Sequence, residues 1–388
     1  MNDKLATPAF VIDLDKLEEN LRVLHEVKKQ ADCHIVLALK AFSLWHTFPL
    51  IAQYLDGCCA SGLHEALLSH EQMGKHTLTY SPAYKQEELT QLLEFSSHID
   101  FNSASQWQRF QQQCLEHPRY QAGSLKFGLR INPEHSTGST PQYDPCGPAS
   151  RLGATKKSIR NLDLTGISGL HFHTLCEQYT DDLETTLEAI DHRFGDILSK
   201  PEITWLNLGG GHWITKPDYD CEKLISLLKR VKQRYNLKDI WLEPGEAIAI
   251  HTGTLETTVL DILENGSAKI AILDISATAH MPDTLEMPYR PDIIDPRNGS
   301  VAGNDGDKSH TYHLGGPTCL AGDTLGPYSF DRELAIGDRL TFDDMAHYTM
   351  VKTTTFNGVP HPSIVLKKDN TLTSVREFNY EDFKSRLG

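Results

Sequence analysis

Between residues 13 and 245 one pattern recurs and narrows the choice of fold more than any other feature. A short apolar, β-rich run is followed by a polar or glycine-containing break and then by an amphipathic segment of helical period. The runs are "HIVLAL" (34–39), "GCCA" (57–60), "TLTYS" (77–81), "HIDF" (98–101), "LKFGLRI" (125–131), "ISGLHFH" (167–173), "ITWLNL" (203–208) and "DIWLE" (239–243). About eight such strands close a parallel barrel. In "DLDKLEENLRVLHEVKKQ", Leu14, Leu17, Leu21 and Leu24 make one apolar face, and Asp13 or Asp15 can cap the start. "GLHEALLSHEQM", "KQEELTQLLEFS", "SASQWQRFQQQCL" and "CEKLISLLKRVKQRY" repeat the helical pattern between later strands. An open doubly wound sheet is the other fold this alternation permits, and the near-regular unit length favours the barrel.

After about residue 250 the texture changes to β-branched runs with no helices between them: "TGTLETTVLDILEN", "AKIAILDIS", "TYHLGG", "DRLTFDD" and "YTMVKTTTF". These predict a mainly antiparallel β domain. "AFVID" has no parallel neighbour in the barrel scheme and is assigned to that domain. The expected division is a (β/α)8 TIM-like barrel over 13–250 and a β domain built from 1–12 and 251–388. Residues 283–310, rich in Pro, Asp, Asn and Gly, read as a long loop or insertion.

Charge excludes one class of partner. Lys and Arg number 37 against 52 Asp and Glu, a formal charge of −15, the wrong sign for nucleic acid or anionic lipid. The eight cysteines are scattered without a C-x-x-C pair, as in a reduced cytosolic protein. No stretch approaches the roughly 18 apolar residues that span a bilayer. The expectation is a soluble cytoplasmic protein.

Parallel barrels carry their chemistry at the carboxyl ends of the strands. Here those ends carry Lys40, Arg130 with Asn132, His173, the run Gly209, Gly210 and Gly211, and Glu243. A lysine after the apolar run Ile35 to Leu39 is either snorkelling to solvent or an amine of lowered pKa able to form a Schiff base. Three glycines let backbone amides approach a phosphate, or simply make a tight turn. Glu243, ahead of Pro244 and Gly245, needs a cationic partner or a proton donor, and a protonated pyridine nitrogen would serve. His173 could stack on such a ring. "HFH" at 171–173 also permits a zinc pair, so a metal-dependent barrel hydrolase is the alternative of a different class.

Taken together, "ALKAF", "GLRINP", "SRLG", "GLHFH", "NLGGG", "LEPGE", "GGPTCLAGD" and "YTMVKTTTFNG" resemble the fold-type III pyridoxal-phosphate decarboxylases, the group of ornithine and diaminopimelate decarboxylases. "HTLCE", "LEPGEA" and "DISATAHMPD" are most similar to members that act on carboxylated polyamines. The resemblance covers nearly the whole chain and implies an alanine-racemase-like fold, pyridoxal 5'-phosphate as cofactor and a homodimer with shared active sites. It implies that Lys40 carries the cofactor, that Glu243 binds the pyridine nitrogen and that His173 stacks on the ring. Gly209, Gly210, Gly211 and Tyr348 would lie at the phosphate, with Arg130 near the phenolic oxygen. Cys319 would return a proton across the dimer, accompanied by Asp323.

Two departures stand out. Where the amino-acid decarboxylases read E-P-G-R, Glu246 replaces the arginine, and Cys58 stands where an acidic neighbour of Lys40 is usual. The extra ammonium groups of a polyamine need acceptors, for which Glu177, Glu246, Asp283 and Asp323 are the expected acids, with Asp274 a further candidate. Diaminopimelate decarboxylase, or another basic amino acid decarboxylase, is the alternative within the family. No metal is expected.

Overall fold

The computed structural model describes residues 5–138 and 140–388. The chain divides into two compact units, one of residues 18–248 and the other of 249–388 joined by the amino-terminal residues up to Leu17.

In the first unit nine short strands form one parallel sheet that follows chain order. They are His34–Ile35, Leu37–Ala38, Gly57–Ala60, His76–Tyr80, His98–Phe101, Lys126–Arg130, Ile167–His171, Trp205–Asn207 and Asp239–Leu242. The apolar run at 34–39 supplies two of them, because it breaks at Val36. Its first half pairs with Asp239–Leu242 and its second with Gly57–Ala60. Val36 and Ala38 donate their N–H groups to Leu242 O and Pro244 O, both at 3.0 Å, so the split strand links last to first and closes the barrel. Eight apolar runs thus give a closed parallel barrel, and the α/β class holds.

The barrel interior is filled through size matching. Trp205 packs with Val36, Leu78 and Trp241. A Cβ at Gly128 or Gly169 would come within 2.4 or 2.0 Å of the Trp205 ring, so an indole on one strand requires glycine on two others. Helices cover the outside, and the longer ones each bury one face. Leu17, Leu21 and Leu24 of Leu14–Ala31 are fully buried, and Asp13 caps that helix by accepting from the Asp15 and Lys16 N–H groups. The 19-residue helix Thr180–Leu198 is missing from the sequence-based expectation. Leu183, Leu187, Ile190, Phe194 and Ile197 carry a 4-3-4-3 spacing, but the buried polar residues Thr180 and Thr186 dilute it.

The second unit is a mixed sheet of ten strands, antiparallel except for two pairings. Ala9–Asp13 pairs antiparallel with Gly253–Asn265 and parallel with Ser363–Lys368. The stretch 283–310 is not a loop throughout: it forms the helix Asp283–Glu286 and the paired strands Ile293–Asp295 and Ser300–Val301. Among the described residues no helix is long and apolar enough to cross a membrane.

Candidate active site

The strands end one or two residues before the side chains that matter. Lys40 follows Leu37–Ala38, His173 follows Ile167–His171, Gly209 follows Trp205–Asn207 and Glu243 follows Asp239–Leu242, while Arg130 is itself a strand end. These residues therefore sit on one rim, where the backbone is free of the ladder and can turn.

Lys40 Nζ lies 3.5 Å from His173 Nε2. Solvent reaches Lys40, but the surrounding protein is dense enough that desolvation lowers its pKa, with Arg130 adding to the effect and Glu243 opposing it. His173 Nδ1 accepts the Gly210 N–H at 3.0 Å. Burial, and then the Lys40 and Arg130 charges, push the His173 pKa well below its ordinary value. The ring is therefore neutral near pH 7, and with Nδ1 already an acceptor its proton sits on Nε2, facing Lys40. Buried Arg130 donates to His173 O at 3.3 Å and lies over the Tyr80 ring, 4.4 Å from its centroid. Tyr80 donates in turn to Asn102 Oδ1 at 2.7 Å, which also receives the Gly153 N–H.

Glu243 is buried and held by Asn207. Asn207 Nδ2 donates to its Oε1 at 2.7 Å, while Asn207 Oδ1 accepts the Gly209 N–H at 2.9 Å. Its Oε2 lies 3.5 Å from His171 Nε2, and His171 Nδ1 lies 2.9 Å from Asp100 Oδ2. The three glycines are fixed by packing. A Cβ at Gly209, Gly210 or Gly211 would approach Phe172 O at 2.6 Å, Glu243 O at 2.2 Å or Leu175 O at 2.0 Å. That requirement holds whatever binds there.

Of the acids expected to meet a cationic substrate, Glu177 adopts a left-handed backbone with φ +54°. Glu246 accepts the Trp213 indole N–H at 2.9 Å, and the Lys216 ammonium lies over that indole. An acid that the motifs passed over, Glu65, accepts the Ser61 N–H at 2.6 Å. Its pKa is raised by burial, and the Lys40 charge works against that rise. Cys58 is buried, with its thiol pushed up to about 12 by desolvation.

The remaining candidates lie in the second unit. Cys319 is exposed and its N–H donates to Asn357 Oδ1 at 2.9 Å. Buried Asp323 accepts from Ser276 Oγ, the Thr278 N–H, and both the N–H and hydroxyl of Thr318. It ties two turns together. Asp274 accepts from the Thr7 and Thr257 hydroxyls and the Thr258 N–H, so both its oxygens are engaged in the sheet. Asp283 Oδ2 accepts from Tyr289 and Thr349, each at 2.8 Å, while its Oδ1 is buried without a hydrogen-bond partner. Tyr348 has φ +50°.

Ligand atoms of His171, His173 and Glu243 lie within 4.8 Å of one another, so the geometric condition for the zinc alternative is met. The comparisons decide against it. A family model described as pyridoxal-dependent decarboxylase, C-terminal sheet domain, matches residues 9–346. The chain belongs to the pyridoxal-dependent decarboxylases. Among the curated members of this family, it is 43% identical to the carboxynorspermidine/carboxyspermidine decarboxylase of Campylobacter jejuni, covering 99% of both chains. It is 44% identical to the carboxyaminopropylagmatine decarboxylase of Synechocystis, over 99% of this chain and 96% of that one. The crystal structure of C. jejuni carboxynorspermidine decarboxylase complexed with norspermidine superposes with a TM-score of 0.88 at 41% identity, over 98% of this chain and 100% of that one. For a pyridoxal-dependent decarboxylase, Lys40, His173 and Glu243 are a coherent set: an amine of lowered pKa, a neutral flat ring and a buried carboxylate on one rim.

Proposed function

We propose that this decarboxylase acts on carboxynorspermidine, carboxyspermidine or both, with pyridoxal 5'-phosphate as cofactor, and so yields norspermidine or spermidine. The full-length likeness to the C. jejuni enzyme carries the reading. Bound to such a protein, pyridoxal phosphate accepts into its ring the electron pair released as carbon dioxide leaves. Lys40 holds the cofactor through an amine whose lowered pKa keeps a nucleophilic fraction at neutral pH. Glu243, steadied by Asn207, offers a carboxylate to the ring nitrogen. His173 presents its face to the ring, with its tilt set by the Gly210 N–H.

Arg130 serves the phenolic oxygen, while the glycine run and Tyr348 serve the phosphate. Cys319 returns the proton to the substrate carbon, in a cytoplasmic homodimer whose active sites are shared. Glu177, Glu246 and Asp283 supply acceptors for the polyamine ammonium groups, Asp283 through its unpartnered buried oxygen. Asp323 organises the turn that bears Cys319, consistent with its saturated carboxylate.

The test is carbon dioxide release measured side by side on carboxynorspermidine, carboxyspermidine, carboxyaminopropylagmatine, ornithine and diaminopimelate. Carboxynorspermidine or carboxyspermidine should lead in kcat/KM, and faster turnover of carboxyaminopropylagmatine, ornithine or diaminopimelate overturns the proposal. Carboxynorspermidine and carboxyspermidine differ by one methylene, worth about 1–3 kcal/mol in a binding site, so both belong in the panel.

A further inference from the structure

Arg130 is a buried cation, 6% exposed, and among the described residues no carboxylate stands within ion-pair distance of it. A desolvated guanidinium needs support from something else. Its contact with His173 O, at 3.3 Å, uses one of five N–H donors. The larger support is the Tyr80 ring, whose centroid lies 4.4 Å from Arg130 Cζ. Held on an aromatic face, a guanidinium is steadied while its in-plane N–H donors stay available for an anion.

The ring is itself fixed. Tyr80 and Arg130 end strands on either side of His98–Phe101, so the guanidinium reaches its platform across one strand. The Tyr80 hydroxyl donates to Asn102 Oδ1 at 2.7 Å, and that oxygen also accepts the Gly153 N–H at 2.7 Å. Asn102 Nδ2 donates to Arg151 O at 2.8 Å. Arg151 and Gly153 belong to "SRLG", a motif to which the chemistry above gives no task. The same loop braces Arg130 through the main chain, because the Ala154 N–H donates to Arg130 O at 2.8 Å. His171 meets the Tyr80 ring at 5.7 Å with the two planes nearly perpendicular.

We propose that Tyr80 and Asn102 are positioning residues for Arg130: the tyrosine ring carries the guanidinium, and Asn102 ties that ring to the "SRLG" loop, so that the charge stands where the cofactor's phenolic oxygen binds. The inference rests on the reading of Arg130 as the cation at that oxygen. A cation fixed there opposes protonation of the nearby nitrogen through which Lys40 holds the cofactor, and a guanidinium free to drift opposes it less. In the cofactor-free protein the same repulsion from Arg130 helps to lower the Lys40 pKa. Asp100, Cys146 and His173 also bear on Arg130. Cys59, Glu65, Cys176 and Glu243 bear on Lys40, and the substitutions at Tyr80 and Asn102 leave all of these groups in place.

The experiment follows, in the holoenzyme, the pH at which the visible absorption band of the bound cofactor titrates. Arg130→Gln sets the full upward shift. Tyr80→Leu should give at least half of it and lower kcat roughly tenfold, the fold-change that losing a desolvated cation–π contact produces. Tyr80→Phe and Asn102→Ala keep a ring but release it from the loop, and each should shift the band in the same direction by less. The same replacement of Tyr80 by a ring-pentafluorinated phenylalanine, similar in shape but with an electron-poor face, should shift it well beyond Tyr80→Phe. That pair preserves the packing, so it decides even where Tyr80→Leu fails to fold. A fluorinated variant that titrates like Tyr80→Phe overturns the role of the ring, and Tyr80→Phe and Asn102→Ala variants that titrate like the unmodified protein overturn the role of the tie. An unchanged band in Arg130→Gln instead removes Arg130 from the cofactor, and the reading beneath the inference falls with it. The measurement needs no turnover, so an error in the assigned substrate would leave it readable.

Discussion

Replacing Asn207 with leucine should destabilise the barrel by about 2 kcal/mol and loosen Glu243 at the same time. Asn207 is fully buried and makes two hydrogen bonds that no neighbour can replace: Nδ2 to Glu243 Oε1 at 2.7 Å, and Oδ1 from the Gly209 N–H at 2.9 Å. Leucine keeps the branched shape but is larger, and its methyl groups need about 3.5 Å or more from their neighbours, so overpacking adds to the loss. The substitution leaves the Gly209 N–H buried without a partner, at a cost of about 1–3 kcal/mol, and deprives a carboxylate of a donor worth about 1.5–3 kcal/mol. Added apolar burial offsets about 1–2 kcal/mol of this. Urea unfolding of the cofactor-free protein, followed by the fluorescence of the core indoles Trp205 and Trp241, measures the difference.

Asn207→Asp sharpens the test, because it keeps the acceptor for Gly209 but sets a second carboxylate against Glu243. Two such groups cannot both ionise, so the folded pair binds a proton that the unfolded chain releases. The aspartate variant should therefore be weaker than the unmodified protein at pH 8 and recover as the pH falls toward 5. A loss below about 1 kcal/mol for Asn207→Leu, or an aspartate variant whose deficit does not change with pH, would refute the reasoning.

Three further outcomes follow from the same geometry. His34 contacts Asp239 and Asp56, and hydrogen bonds to them, Asp239 first, raise its pKa from 6.5 to about 9. A raised folded pKa stabilises fully below 6.5 and is lost as the pH climbs through about 9, so His34→Gln should cost stability at pH 6 and almost none at pH 9.5. With its side chain 37% exposed, screening reduces that cost to about 1 kcal/mol, and a deficit equal at both pH values would count against it. Gly210→Ala drives a Cβ to within 2.2 Å of Glu243 O and should cost about 1–3 kcal/mol or more in urea melts. Gly62→Ala, with open space around it, is the control and should shift the midpoint little. Cys319→Ala, at an exposed position, should leave the thermal midpoint unchanged while lowering kcat by about two orders of magnitude, and an unchanged kcat removes Cys319 from proton return.

How far the site could be read from the sequence depends on the reach of each contact. Lys40, Arg130, His173 and Glu243 announce themselves because each follows an apolar run that marks a strand, and a barrel gathers strand ends on one rim. Glu65 was passed over because its link to Lys40 is a matter of proximity in space, with no spacing to mark it. Trp205 reads as one more apolar residue in "ITWLNL", and only the Cβ clashes at Gly128 and Gly169 show that three strands are matched in size. The glycine run was legible as a constraint, but its cause lies in the carbonyls of Phe172, Glu243 and Leu175, which come from other parts of the chain.

The layer beneath the rim follows a rule that needs no structure. Along a strand, alternate residues share a face, so stepping back two positions from a rim residue reaches the side chain directly below it. From Asn102 the step gives Asp100, from Arg130 it gives Gly128, from His173 it gives His171, and from Gly209 it gives Asn207. Those four are a buried carboxylate, the gap beside it, a buried imidazole lying between Asp100 and Glu243, and the amide that donates to Glu243. In "HFH" the first histidine lies buried between Asp100 and Glu243, 2.9 Å from one and 3.5 Å from the other. The proposed chemistry on the rim uses the Glu243 side chain, and a buried polar group there needs a partner, which Asn207 Nδ2 supplies from one layer below at 2.7 Å.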